Sequence, residues 1–95
     1  FYERTDLRLH HPVAKVEMTN FLTKKAPAEI GGQKVIDISN IDGVKYVMAD
    51  DSWLLIRPSG TEPVLRVYAE GRSVEMVRAL LGYGETVAAS VTKKN

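Results

Sequence analysis

The stretch KVIDISNIDGVKYVMADDSWLLIRPSGTEPVLRVYAE, Lys34 to Glu70, decides the architecture. It divides into apolar runs of strand length separated by turn chemistry. Lys34 to Ser39 carries Val35, Ile36 and Ile38. Asp42-Gly43 is a turn signal. Val44 to Ala49 then alternates, with Val44, Tyr46 and Met48 on one face. Asp50-Asp51-Ser52 makes the next turn, because short polar side chains bond to their own backbone. Trp53 to Arg57 is a third strand and Val64 to Glu70 a fourth. The six residues from Pro58 to Pro63 between them cannot be strand interior, since two prolines remove ladder donors.

The flanks add a strand and two helices. Thr5 to Leu9 alternates, with Leu7 and Leu9 on one side of a short strand. Pro12 suits a helix first turn, and Ala14, Met18, Phe21 and Leu22 fall on one helical stripe. Lys24 and Lys25 suit its negative end, and Pro27 stops it. Downstream, Gly71 ends the fourth strand and Ser73 is a good N-cap, with Glu75 near the positive end. Val74, Val77, Leu81, Ala88 and Val91 fit a second stripe, which Gly82 and Gly84 interrupt, predicting a split or a bend. The order is strand, helix, four strands, helix. That predicts a two-layer α+β domain with a mostly antiparallel sheet and two helices on one face.

The 95 residues fit a single domain, 1–95, with room for one modest core. Thirteen basic and twelve acidic side chains leave a charge of +1, too little clustered excess for a nucleic-acid footprint. No apolar run approaches the ~20 residues of a membrane span. There is no cysteine, hence no disulfide framework and no Cys-based zinc site, which is compatible with a cytoplasmic location. The chain opens on Phe1-Tyr2-Glu3-Arg4 without an initiator Met, so a piece of a longer protein is expected.

The segment Arg57-Pro58-Ser59-Gly60-Thr61-Glu62-Pro63 carries the chemistry. A phosphate dianion needs planar bidentate donors, and an Arg guanidinium supplies them. Ser59 and Thr61 add short hydroxyl donors. Gly60 has no Cβ to block backbone N–H groups from an anion. Pro58 and Pro63 stiffen both shoulders, lowering the cost of ordering the loop. The charge of Glu62 would repel phosphate, so that side chain is expected to point away or to hold an arginine. The competing reading is a plain turn, although the connection exceeds the usual ~2–5 residues of a hairpin loop.

This segment, with Trp53-Leu54-Leu55-Ile56 before it and Val64-Leu65-Arg66-Val67-Tyr68-Ala69-Glu70 after it, resembles the phosphate-binding loop and flanking strands of the α-D-phosphohexomutases. These are the phosphoglucomutase/phosphomannomutase enzymes and their phosphoglucosamine mutase relatives. The resemblance is dense over residues 53 to 71 and rests on element order elsewhere. It implies the last of four domains, with a TATA-box-protein-like α+β fold; that fold name does not import DNA binding, and the near-zero charge argues against it. It implies that Arg57, Ser59, Gly60 and Thr61 grip the substrate's non-reacting phosphate, and Arg66 could face the same loop. The family's phosphoserine, magnesium and sugar-reading loops have no match here, so neither catalytic nor metal-binding residues are expected in this chain. The resemblance implies an enzyme interconverting hexose 1-phosphate and hexose 6-phosphate through an enzyme phosphoserine and a hexose 1,6-bisphosphate intermediate. Mg²⁺ would assist in the full-length protein. The partners implied are a phosphosugar and the other three domains, about 350 residues upstream at common domain size. This chain alone would be inactive.

The remaining candidates read as structural. His10 and His11 are adjacent, so on a strand they would point to opposite faces and chelate poorly. Asp50-Asp51 reads as turn chemistry. Trp53 and Tyr68 could stack a sugar but are expected to pack in the core or at an edge. Tyr83, between two glycines, could gate a cleft. Lys93-Lys94 reads as a solvated tail. Two alternatives stand beside the mutase domain: a stand-alone phospholigand-binding module without catalysis, and an interaction domain whose loop is only a turn. Burial of Arg57 in a structural salt bridge would favour the latter.

Overall fold

A computed structural model describes residues 1–9, 14–59 and 62–92, with side chains described through Ser90. Along these residues run β1 (Tyr2–Arg8), α1 (Lys15–Lys24), β2 (Glu29–Ile30), β3 (Gln33–Ser39), β4 (Val44–Met48), β5 (Trp53–Pro58), β6 (Val64–Glu70) and α2 (Val74–Thr92). The strands form one sheet in the order β1-β6-β5-β4-β3-β2, with every neighbouring pair antiparallel.

The alternation read between Val44 and Glu70 sets the core. Val44, Tyr46, Met48, Leu54, Ile56, Leu65, Val67 and Ala69 are all fully buried. Register brings them together: Tyr46 lies opposite Leu54, which lies opposite Ala69. Period-2 geometry then puts all eight on one face of the sheet. Met18 and Leu22 of α1 and Met76, Val77, Leu80, Leu81, Val87 and Ala88 of α2 join the same buried cluster. Both helices therefore cover one face, and the fold is a two-layer α+β domain architecture, as expected. Each fully buried aliphatic side chain contributes roughly 1.5–3 kcal/mol.

Tyr46 ties the layers. Its hydroxyl donates to the Leu22 carbonyl at 2.6 Å, and its ring meets Tyr83 edge-on at 6.0 Å. Burial raises the pKa of both phenols, and the neighbouring Tyr83 adds to the effect on Tyr46. Tyr83 is thus a half-buried packing residue of α2.

Several sequence expectations are corrected. The two-residue strand β2 was not anticipated. It turns into β3 through Gly31-Gly32, both at positive φ, the mirror-image turn that hairpins favour. The Val74–Thr92 helix is continuous through Gly82 and Gly84, because tertiary packing outweighs a glycine cost of roughly 1 kcal/mol each. Gly84 is buried where a Cβ would stand 3.0 Å from Val67 Cγ1, so its small size seats the helix on β6. Val74 and Ala14 are exposed, since both stand at helix starts and the buried stripes begin one turn later. Ile36 and Ile38 are exposed too: β3 lies near the sheet edge, and its register shifts between Val35 and Asp37. β5 extends one residue further than read, ending at Pro58 opposite Leu65. Ser73 caps α2 as expected, its Oγ accepting the Met76 N–H at 3.0 Å.

Candidate functional site

The connection between β5 and β6 opens at one end of the sheet. Arg57 and Arg66 are direct partners across these strands. Their neighbours Ile56 and Leu65 point into the core, so both arginines stand on the face away from the helices. Two like charges directly opposite are destabilising by themselves. Each arginine meets one carboxylate. Arg57 Nε lies 3.5 Å from Asp42 Oδ1, and Arg66 Nη1 lies 3.4 Å from Asp6 Oδ2. Asp6 is the Cα partner of Arg66 on β1. The result is a row across the sheet end: acid, arginine, arginine, acid. The Arg57 side chain is 42% exposed and that of Arg66 39%, so both remain open to solvent.

The base of the loop is held by backbone bonds. Ser59 N donates to Val64 O at 3.0 Å, and Val64 N donates to Glu62 O at 2.8 Å. The Ser59 hydroxyl accepts the Glu62 N–H at 3.2 Å. Leu9 N donates to Pro63 O at 2.7 Å, anchoring the far shoulder to the residue after β1. Ser59 therefore has a local turn role that its sequence position did not announce. A hydroxyl can both donate and accept, so this bond is compatible with contact to an anion. Gly60 and Thr61 lie outside the described residues, as do His10, His11 and Lys93-Lys94. Glu62 is exposed. Among the described residues, the acids paired with the two arginines are Asp42 and Asp6, so the arginine-holding role considered for Glu62 belongs to them.

Arg66 is more prominent than its sequence position suggested. Part of the signal lay in the sequence, in the parity of a hairpin, but the register itself, Pro58 opposite Leu65 and Arg57 opposite Arg66, is set by the fold. Asp6 and Asp42 carried no such signal, because both come from distant parts of the chain. Trp53 and Tyr68 share the arginine-bearing face. Lys45 Nζ stands 4.9 Å from the Trp53 ring centroid, Trp53 Nε1 donates to Glu70 at 3.0 Å, and the Arg4 guanidinium lies 5.9 Å from the Tyr68 ring. Both are half-buried on the open face of the inner strands β5 and β6, so the expected packing in the core or at a sheet edge is corrected: these rings pack against neighbouring side chains on the face away from the helices. Asp50 accepts the Ser52 N–H at 3.0 Å, which is turn chemistry. Among the described residues, no three His, Cys, Asp or Glu side chains gather as a metal site, and no helix is long and apolar enough to cross a membrane.

Comparison with known proteins fits this geometry. Residues 13–82 match the family model described as phosphoglucomutase/phosphomannomutase, C-terminal domain. The chain is 39% identical over 77 residues to a protein named probable phosphoglucosamine mutase from Methanothermobacter thermautotrophicus, covering 75% of this chain and 17% of that protein. It is 42% identical over 57 residues to a phosphoglucomutase/phosphomannomutase from Thermococcus kodakarensis, covering 60% and 12%. It is 42% identical over 55 residues to a phosphoglucosamine mutase from Methanococcus aeolicus, covering 56% and 12%. In each case the match spans 17% or less of the curated relative's length. The family match takes in both helix starts, β2 to β6 and the loop between the paired arginines, and the chain belongs to the phosphoglucomutase/phosphomannomutase C-terminal domain family.

Proposed function

We propose that this chain is the substrate-phosphate-binding domain of a phosphohexomutase, the last of four domains. The observation that carries the reading is the opposed pair Arg57 and Arg66 at the mouth of a loop whose shoulders are tied down. Two guanidiniums kept side by side on an open face, each paired with one acid at 3.4–3.5 Å, still offer donors to a phosphate's oxygens. Arg57, Ser59, Gly60 and Thr61 would hold the phosphate that does not react, with Arg66 as a second guanidinium. Planar forks suit a phosphate's oxygens, and the hydroxyls and backbone N–H groups complete its shell.

In the parent enzyme a phosphoserine outside this chain would give its phosphoryl group to a sugar hydroxyl, forming a hexose 1,6-bisphosphate. The other phosphoryl group would return to the serine. The loop's part would be positioning: it holds one end of the substrate while the other reacts. Because the intermediate must be held in either orientation, a loop that reads phosphate and not sugar suits the task. Mg²⁺ would offset charge at the serine when bound, and its ligands would lie outside this chain. The hexose, whether glucose, mannose or glucosamine, would be read by another domain. A cysteine-free sequence accords with a cytoplasmic parent enzyme. The short coverage of the curated relatives favours this reading over a stand-alone phospholigand module. The solvent exposure of Arg57 weighs against a loop that is only a turn.

The test is an NMR titration of the isotope-labelled chain with inorganic phosphate. Binding is expected in the millimolar range or weaker, because association and loop ordering consume much of the contact free energy. The Gly60 and Thr61 amides should move first. Largest shifts around His10 and His11 would refute the assignment. With glucose 1-phosphate, Mg²⁺ and bisphosphate activator, the chain alone should show no turnover, and sustained turnover by pure protein would refute the fragment reading.

A further inference from the structure

We propose that the Asp42–Gly43 turn is a seat that aims the Arg57 guanidinium, making Asp42 a positioning residue for the anion site. The proposal rests on the phosphate reading of the loop. Its first support is steric. Gly43 is buried, at φ +82°, and a Cβ built on it would stand 2.5 Å from Arg57 Cγ and 2.7 Å from the Ile56 carbonyl oxygen. The turn's backbone itself therefore lies against the arginine's aliphatic stem, and only glycine permits both the approach and the left-handed backbone.

The second support is which edge of the guanidinium is engaged. Asp42 Oδ1 meets Nε, the inner edge, at 3.5 Å. The two terminal nitrogens lie beyond that contact and form the pair that can grip an anion's oxygens. Arg66 differs, because its carboxylate partner Asp6 meets a terminal nitrogen, Nη1. The acid contact of Arg57 thus falls on its inner edge, while Arg66 shares its fork with Asp6. Stem contact from Gly43 and edge contact from Asp42 together restrict a long side chain whose freedom would otherwise be lost on binding. Asp42 is 66% exposed, and an ion pair this open contributes little to folding stability. Its consequence lies in where it holds the guanidinium.

The proposal predicts a sign opposite to that of simple electrostatics. A carboxylate this close to the site repels phosphate, so if Asp42 acted only as a charge, removing it would tighten binding. If it aims Arg57, removing it weakens binding. The experiment titrates inorganic phosphate into the full 95-residue chain at fixed ionic strength, for the native sequence, Asp42→Ala and Asp42→Asn, and follows the Arg57 Nε–Hε signal alongside the backbone amides. Asp42→Ala should weaken phosphate binding about threefold to tenfold and speed exchange of the Arg57 Hε proton. Asp42→Asn, which keeps an oxygen at the same place, should fall between Ala and native on both readouts. Binding by Asp42→Ala that equals or exceeds the native value, or no ranking of Asn above Ala, overturns the proposal. The phosphate reading is tested separately by the native chain. If phosphate moves nothing in the loop, that reading fails and takes the aiming role with it, whereas the Hε exchange rates still report whether Asp42 holds the arginine.

Discussion

The two ends of the sheet each carry a β-turn, an acid and an arginine, and they use the arginine differently. At the end with the β4–β5 turn, Arg72 Nε donates to the Asp50 carbonyl at 2.6 Å, and its Nη2 lies 3.4 Å from Asp51 Oδ2. Inner and outer edges of this guanidinium are both turned onto one turn, whose Asp51 sits at φ +73°. Arg72 is a brace. At the other end, Arg57 meets Asp42 through Nε, a second arginine stands directly across from it, and the loop beside it is tied at its base. The number of arginines and acids in a region therefore says little. The edge of the guanidinium that the protein uses for itself decides what is left to offer a ligand.

The largest expected effect tests that contrast in the parent enzyme. Arg57→Lys should hurt nearly as much as Arg57→Ala, because Lys keeps the charge and loses the planar fork. Losing such a partner costs roughly 2–5 kcal/mol, on the order of thirtyfold to several thousandfold in kcat/KM at about 1.36 kcal/mol per tenfold. Both KM and kcat should suffer, since misplacing one end of the substrate misaligns the other. Arg72→Lys should change kcat/KM less than about twofold and cost under about 1 kcal/mol of stability, as exposed pairs do. Steady-state kinetics on the three variants measures this, and equal losses at Arg57 and Arg72 would erase the distinction between the ends.

Ser59→Ala comes next. One hydrogen bond to a charged group contributes roughly 1.5–3 kcal/mol, so kcat/KM should fall about tenfold to 150-fold. The Glu62 N–H also loses its acceptor, so part of the loss should appear as faster exchange of that amide. An unchanged kcat/KM would reduce Ser59 to turn chemistry, like Asp50 at the other end.

A smaller effect asks whether both ends ride on one rigid platform. Gly82 has open space around its missing Cβ, so Gly82→Ala should stabilise by about 0.5–1 kcal/mol. Gly84→Ala drives a methyl to 3.0 Å from Val67, and overpacking of roughly 1–3 kcal/mol should reverse the gain. Urea unfolding of the two variants should give opposite signs. Equal stabilisation would mean that α2 is not seated against β6.

The smallest effect belongs to the Asp50 turn. Desolvation pushes the Asp50 carboxyl up, but the hydrogen bond from the Ser52 N–H and the charge of the nearby Arg72 help to outweigh it and hold the pKa below the ordinary 3.8. A depressed folded pKa contributes stability that is present above the unfolded value and lost as pH falls through the folded one. Native protein should therefore lose slightly more stability than Asp50→Asn on acidification below about pH 4. Thermal unfolding across that range checks it, and parallel curves would remove Asp50 from the turn's energetics.

Local chemistry made most of this protein legible in its sequence. The alternation of Val44, Tyr46 and Met48, the Asp-Gly and Asp-Asp-Ser turns and the Ser73 cap each act within a few residues, so pattern alone placed five of the six strands, both helices and the two-layer arrangement. The run from Arg57 to Pro63 marked the candidate site because its residue types carry their chemistry wherever they fold. What lay beyond reach depends on contacts between distant residues. Gly82 and Gly84 looked like a break, but a helix packed against β6 tolerates them. Gly43 read as a turn glycine, whereas its larger consequence is contact with Arg57, fourteen positions further along. Asp6 reaches Arg66 across sixty positions because β1 returns beside β6. Periodicity reports which face a residue takes, but only strand order and register decide which other residue stands next to it.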